Sequence, residues 1–296
     1  MTCLATTQRA ARAHAPPARQ APFLSLRGIG LAYGAREVLR GAQLQVAPGE
    51  LLGVLGPSGA GKSTLLRIAA GLLAPSAGSV RMDGAPLTGA RPDVALAFQD
   101  PCLLPWLSVE RNVAFGLTFA RQPALSREQR RSRVDAALAQ VGLTRARHLH
   151  PRQLSGGMAQ RVALARCLAR APRALLLDEP FGALDEVTRA DMQRLLVSVV
   201  RDSGAATVLV THDIDEALRV ADRIVLLGHQ GRPLAEWCVQ APAPRHAQDP
   251  RTGALRLEIL DQLQRAVAAH VHAPAPLRPF HPQIQGLPDH VPNFSP

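Results

Sequence analysis

Apolar residues along this chain fall into three patterns, and each predicts a different kind of element. Short alternation predicts half-buried strands near the N-terminus: Phe23-Leu24-Ser25-Leu26, Gly30-Leu31-Ala32-Tyr33, Val38-Leu39 and Leu44-Gln45-Val46, before a turn at Pro48-Gly49-Glu50. Ser79 to Met82 is a further strand, entered from the turn Pro75-Ser76-Ala77-Gly78 and left at Asp83-Gly84. Continuous runs predict strands buried on both faces: Leu51 to Leu55, Val94 to Phe98, Ala174 to Leu177, Thr207 to Val210, and Ile224 to Leu227, which completes the sheet. Helical spacing marks Thr64 to Ala70 and Ser126 to about Val141, with Val134, Ala137, Leu138 and Val141 on one face. It marks Ala159 to Arg170 behind a Ser155 cap, and Arg251 to His270 with Leu255, Ile259, Leu263 and Val267 in line. Buried strands alternating with helices predict an α/β protein.

The polar residues between these elements carry the chemistry. Gly56-Pro57-Ser58-Gly59-Ala60-Gly61-Lys62-Ser63 joins a buried strand to a helix that starts at Thr64. Glycines let successive backbone N–H groups curl around phosphate oxygens, and the helix N-terminus adds a favourable partial charge. In that motif the lysine reaches the outer phosphates and the hydroxyl of Ser63 meets Mg²⁺. Lys62 is the only lysine in a chain with 34 Lys plus Arg. A compact ammonium is kept at the one position where a planar guanidinium does not fit.

Asp178-Glu179 ends a continuous apolar strand, which places two carboxylates at the C-terminal edge of a parallel sheet, where ligands bind. Asp178 there suits Mg²⁺ and Glu179 a proton from attacking water; the competing reading is an acidic N-cap for the next helix. Gln99 and His212 end two more strands on the same edge. The ring of Tyr33 suits either adenine stacking or a half-buried strand position. Leu103-Leu104-Pro105-Trp106 reads as a core plug or a docking surface.

Composition narrows the class. The net charge of +11 suggests an anionic partner, yet aromatics at 3% are too few for base-stacking platforms, so the charge reads as diffuse surface arginine. The arginines of 127–133 read as a solvated helix face. Cys3, Cys102, Cys167 and Cys238 lack metal or disulfide spacing, which suits a reducing compartment. No apolar run approaches the roughly 18 residues of a membrane span. No acid precedes Glu37, and residues 1–21 read as a disordered extension or a start placed too early. The Pro/His-rich stretch 273–296 also reads as disordered, its histidines without metal-ligand spacing.

From about Phe23 to Glu236 these residues together resemble the ATP-binding subunits of ABC transporters. The resemblance rests on a Walker A loop (Gly56 to Ser63), a Q-loop glutamine (Gln99) and a signature (Leu154-Ser155-Gly156-Gly157-Met158). A Walker B strand with its glutamate (Leu175 to Glu179), a D-loop (Ala183-Leu184-Asp185) and an H-loop histidine (His212) follow in the family's order. Met158 in place of the commoner glutamine, and Leu103 to Trp106, look like the nitrate/sulfonate/taurine importer branch.

The resemblance implies a P-loop NTPase core of ABC-ATPase type, with a small antiparallel β subdomain and an inserted α-helical subdomain at about 100–170. The ATPase domain would span 22–236 and a C-terminal extension 237–272. It implies ATP and Mg²⁺ as ligands. Glu179, His212, Lys62 and Gln99 would serve catalysis, and Ser63, Gln99 and Asp178 would hold the metal. Nucleotide would be bound by Gly56, Pro57, Ser58, Gly59, Ala60, Gly61, Lys62, Ser63 and Thr64. Tyr33 falls at the position that stacks on adenine, and Asp185 also faces nucleotide. Ser155, Gly156 and Gly157 would act on the nucleotide of a second copy in a head-to-tail dimer.

Partners would be that copy, membrane permease subunits and an extracytoplasmic solute-binding protein, with the chain peripheral on the cytoplasmic face of a bacterial inner membrane. Aliphatic sulfonate or taurine is the leading cargo; nitrate and thiamine-precursor-like solutes are alternatives. A soluble ATPase acting on nucleic acid or ribosomes would suit the charge. A single nucleotide domain, with no room for a coiled-coil insertion between Ser63 and Leu154, argues against it. A regulatory subunit without turnover is opposed by the presence of both Glu179 and His212.

Overall fold

The computed structural model describes residues 21–245 and 249–271, so the readings for the N-terminal tail through 20 and the tail from 272 onward lie outside it. Along the chain, β1 (Leu24–Tyr33) and β2 (Arg36–Val46) form a hairpin, and β3 (Leu51–Leu55) leads into α1 (Lys62–Ala69). β4 (Ala77–Met82), the two-residue β5 (Ala85–Pro86) and β6 (Val94–Ala97) follow. Three helices come next: α2 (Val109–Ala114), α3 (Arg127–Gln140) and α4 (Gly156–Leu168). Strands and helices then alternate through β7 (Ala174–Asp178), α5 (Glu186–Ser203), β8 (Ala206–Val210), α6 (Ile214–Val220) and β9 (Arg223–Leu227). β10 (Pro233–Cys238) and α7 (Pro250–Val271) close the described chain.

The two apolar patterns separate into two sheets. The alternating segments form an antiparallel sheet of order β2-β1-β4-β5. The continuous runs form a sheet of order β10-β9-β3-β8-β7-β6, parallel from β9 to β6. Every residue of β3, β8 and β9 is buried, as a parallel sheet covered on both faces requires. Side chains alternate across it: Leu51 and Leu55 enter one hydrophobic cluster, Leu52 and Val54 the other. The first cluster is shared with α2 to α6, and the second with the antiparallel sheet and α1.

The sheet does not end at Ile224–Leu227. β10 adds to β9 in antiparallel sense, its residues exposed or half-buried. An edge strand needs no continuous apolar run, and Pro233, which has no N–H to donate, suits its first position.

α3 begins as its sequence predicts: Ser126 and Gln129 form a reciprocal capping box. α7 packs against the body through Ile259 and Ala266, with Leu255 and Leu263 half-buried, whereas Val267 is exposed. Steps of four residues advance about 40° beyond a full turn each, so a line drawn from Leu255 leaves the buried face by the third step.

Register fixes the functional edge. Val54 and Asp178 both pair with Val210, so β3, β7 and β8 end level with one another. The Gly56–Ser63 loop, the Asp178-Glu179 pair and Thr211-His212 therefore leave the sheet side by side.

Candidate functional site

α1 begins at Lys62, directly after Gly61, whose φ of +92° is a left-handed value that disfavours any side chain. A Cβ there would also stand 2.6 Å from Leu39 Cδ2, so the β1–β2 hairpin presses on the loop at this point. The same hairpin carries Tyr33, exposed beside its turn.

The Lys62 ammonium is buried and donates to the carbonyls of Gly56 at 2.7 Å and Pro57 at 2.9 Å. An ammonium has three donors, so one remains for an incoming anion. Burial lowers its pKa, and the nearby charges of Glu179 and Asp178 pull it back up. Ser63 Oγ donates to Asp178 Oδ1 at 3.1 Å. Burial raises the Asp178 carboxyl above its ordinary value, against the hydrogen bond from Ser63, and the neighbouring Glu179 raises it further. The pair is thus two hard oxygen ligands, one of them a carboxylate whose charged form is disfavoured by desolvation.

Glu179 stands at φ +47°, an uncommon backbone for a residue with a side chain, and its N–H donates to the Val210 carbonyl at 2.9 Å. That kink turns the carboxylate away from the strand, and its Oε2 lies 3.3 Å from His212 Nδ1. His212 is largely exposed and Glu179 half-buried, so the imidazole sits on the solvent side. These acids do not cap a helix; Asp185 caps α5 instead, accepting from the Thr188 N–H at 3.0 Å. Hydrogen bonding from the Thr188 side chain, and after it from the Thr188 N–H, holds the Asp185 carboxyl below its usual range.

Gln99 is exposed at the end of β6, and Gln160 Nε2 of α4 donates to its carbonyl at 2.7 Å. Its amide and the Glu179 carboxylate converge on Gly182, where an added Cβ would stand 3.6 Å from Gln99 Nε2 and 4.0 Å from Glu179 Oε2. Lys62, Ser63, Asp178, Glu179, His212 and Gln99 therefore belong to one constellation.

Ser155, Gly156 and Gly157 do not join it. Among the described residues no hydrogen bond or ion pair links them to Gly56–Thr64. α4 starts at Gly156, earlier than the apolar pattern predicts, because Ser155 Oγ accepts from the Met158 N–H at 3.3 Å. Ser155 and Gly156 are exposed, and a Cβ on Gly156 would meet nothing within 4 Å. Gly157 is buried and small for a different reason: a Cβ would stand 2.2 Å from Thr188 Cγ2. The paired glycines thus serve two ends, open backbone at 156 and close packing of α4 on α5 at 157.

Leu103 to Trp106 splits between its two readings. Leu103 packs on the core, whereas Trp106 is 69% exposed. Sequence reasoning missed Gln160 and Glu216, both buried polar side chains. Gln160 carries a readable signal, an amide on a helix face otherwise filled by Ala163, Leu164 and Cys167.

Known proteins are similar to this chain over most of its length. The sequence profile of the ABC transporter family matches residues 39–182. The aliphatic sulfonates import ATP-binding protein SsuB 1 of Xanthomonas axonopodis pv. citri is 47% identical over 249 residues, 84% of this chain and 98% of the relative. The SsuB protein of Albidiferax ferrireducens is 43% identical over 92% of this chain and 95% of its own length. Among solved structures, the dimeric post-hydrolysis state of the ATP-binding cassette MJ0796 with ADP and Pi superimposes with a TM-score of 0.65 at 33% identity. It covers 74% of this chain and 100% of that one. CbiO1 from Clostridium perfringens gives a TM-score of 0.69 at 26% identity, over 86% of this chain and 98% of its own.

Proposed function

The chain belongs to the ABC transporter family of ATP-binding proteins, and from that premise we propose that it hydrolyses ATP to drive import of aliphatic sulfonates through a membrane permease. The observation that carries the cargo class is the identity to SsuB proteins over 249 residues, longer than the motif-bearing stretch from Phe23 to Glu236. Those relatives favour sulfonate over nitrate.

The chemistry follows from the edge of the sheet. Backbone N–H groups of Ser58–Thr64 and the remaining donor of Lys62 bind the outer phosphates. Ser63 and Asp178 fit Mg²⁺, because both offer hard oxygens and the half-buried Asp178 carboxylate, disfavoured in its charged form by desolvation, is stabilised by a cation beside it. When bound, the ion neutralises negative charge that develops on the phosphoryl oxygens. Gln99 orients the attacking water and adds a ligand oxygen. Glu179 accepts the water proton as the oxygen attacks the γ-phosphorus and the bridging bond to ADP breaks. His212 holds the Glu179 carboxylate in place and faces the γ-phosphate. Tyr33 stacks on adenine.

The exposed N-terminus of α4, with Ser155 and Gly156, caps the γ-phosphate held by a second copy, and Asp185 lies at the same junction. Trp106 and its loop dock on the permease, and an external solute-binding protein selects the cargo. No helix among the described residues is long and apolar enough to cross a membrane, which suits a peripheral subunit on the cytoplasmic face of the inner membrane.

Growth of a deletion strain tests the proposal. Wild type, but not Lys62→Ala, restores growth on alkanesulfonates as sole sulfur source. Normal growth of the deletion strain on sulfonates, with a defect on nitrate as sole nitrogen source, contradicts it.

A further inference from the structure

The first turn of α5 makes contacts that closing a helix does not require. Arg189 Nη2 donates to the Leu184 carbonyl at 2.8 Å, and Arg189 Nε lies 3.5 Å from Glu216 Oε1. The other oxygen of that carboxylate, Oε2, accepts from Thr211 Oγ1 at 2.6 Å. Leu184 immediately precedes Asp185, and Thr211 immediately precedes His212. A series of polar contacts thus runs from the loop that opens α5 to the loop that carries His212, its Arg189–Glu216 link being an ion pair without a hydrogen bond. On the same turn, the Thr188 methyl occupies the space that the missing side chain of Gly157 leaves open.

The ends of this series are seated firmly. The Thr211 N–H donates to Val54 at 3.2 Å, just before the Gly56 loop, and the Asp213 N–H donates to Thr211 Oγ1 at 3.1 Å. Glu216 is buried, and burial disfavours its charge. A carboxylate kept there against desolvation is a poor stability device, since an apolar side chain of similar size serves packing as well. Its arginine partner is 28% exposed, which weakens the pair as a source of stability further.

We propose that Arg189 and Glu216 are positioning residues for ATP hydrolysis: they tie the His212 loop to the Leu184–Asp185 loop and, through Thr188, to the cap at Gly157. This rests on the function proposed above, in which that cap closes over the nucleotide of a second copy. Neither side chain touches nucleotide. A shift of His212 on its glutamate moves Thr211, hence Glu216 and Arg189, hence the turn on which the partner-facing helix rests. Turnover at one site is thereby linked to the fit of the cap at the other.

The test uses purified full-length protein with Glu216→Gln, Arg189→Ala, Arg189→Lys and the double variant Arg189→Ala/Glu216→Gln. Glutamine keeps an oxygen for Thr211 and loses the charge facing Arg189. The expected result is a kcat lowered about tenfold with ATP affinity within about twofold of wild type and a Hill coefficient falling toward one. Melting temperature stays within about 2 °C, and Arg189→Lys recovers part of the turnover. The double variant is no slower than the slower single one, because both cut the same series. Folded variants with wild-type kcat and cooperativity overturn the inference, as do additive losses. Parallel loss of melting temperature and ATP affinity, or failure to fold, makes the pair merely structural and overturns it too. Absence of ATPase activity in the wild type instead contradicts the function on which it rests.

Discussion

Under the proposed function, the edge formed by β3, β7 and β8 and the N-terminus of α4 serve the phosphates of ATP in opposite ways. At the edge, the reactive groups are already paired inside the chain: Lys62 on two loop carbonyls, Ser63 on Asp178, His212 on Glu179. At α4, Ser155 and Gly156 face solvent, and the Ser155 hydroxyl supplies an internal acceptor for the first turn. One is a site without a lid, the other a lid without a site. Under the proposed function the two halves complete each other between copies, so a single chain holds every reacting side chain and still needs a partner to work.

The largest effect separates chemistry from binding at the edge. Glu179→Gln lowers steady-state phosphate release by about 10²–10⁴-fold, while ATP affinity stays within a few-fold. Comparable activity in the variant would move the proton acceptor elsewhere and break the contrast between the two regions.

Next comes the lid. Ser155→Ala and Ser155→Arg both lose the cap on α4, worth about 1 kcal/mol, and both lower the melting temperature by about 2–4 °C. Turnover tells them apart: a bulky cation projecting from an exposed helix start cuts kcat by about a hundredfold, the alanine by about tenfold. Equal turnover in the two would mean that nothing approaches α4 closely.

A smaller effect lies one residue further on. Gly157→Ala drives a methyl into Thr188 Cγ2 and costs about 1–3 kcal/mol in chemical denaturation. Thr188→Ala in the same chain regains most of it. The recovery shows glycine at 157 serving packing, as distinct from the open backbone at 156.

The least effect contrasts a buried thiol on α4 with an exposed one in the loop between β6 and α2. Cys167, near the C-terminus of α4, is buried, and burial pushes its thiol up to about 11. The thiolate is the reactive form, so native Cys167 resists alkylation until pH approaches that value or the helix opens, while exposed Cys102 reacts at pH 8. Mass spectrometry after iodoacetamide treatment at pH 8 reads both sites. Equal labelling would mean that α4 opens around Cys167.

Most of the edge was legible in the sequence because it is built from contiguous segments. A buried strand, a glycine-rich turn and a helix define the Lys62 loop, and an apolar run ending in two acids defines Asp178 and Glu179. Two kinds of feature were not. The edge strand β10 lacks a strong pattern, since an exposed edge asks for neither alternation nor continuity. The Gly157–Thr188 contact and the Arg189–Glu216 pair join residues far apart in the chain, and only the packing of α4, α5 and α6 brings them together. Glycine at 157 shows the limit well: the residue was readable, but the reason for it sits 31 positions away, on α5.

The mass of the Glu179→Gln protein in solution, with and without ATP, is the most direct test; light scattering after gel filtration reads it. A site completed by a second chain predicts one copy without nucleotide and a doubled mass with ATP. It also predicts one copy throughout when Ser155→Arg is added, although ATP still binds. A Glu179→Gln protein that binds ATP and stays single, or a Ser155→Arg variant that still doubles, would contradict it.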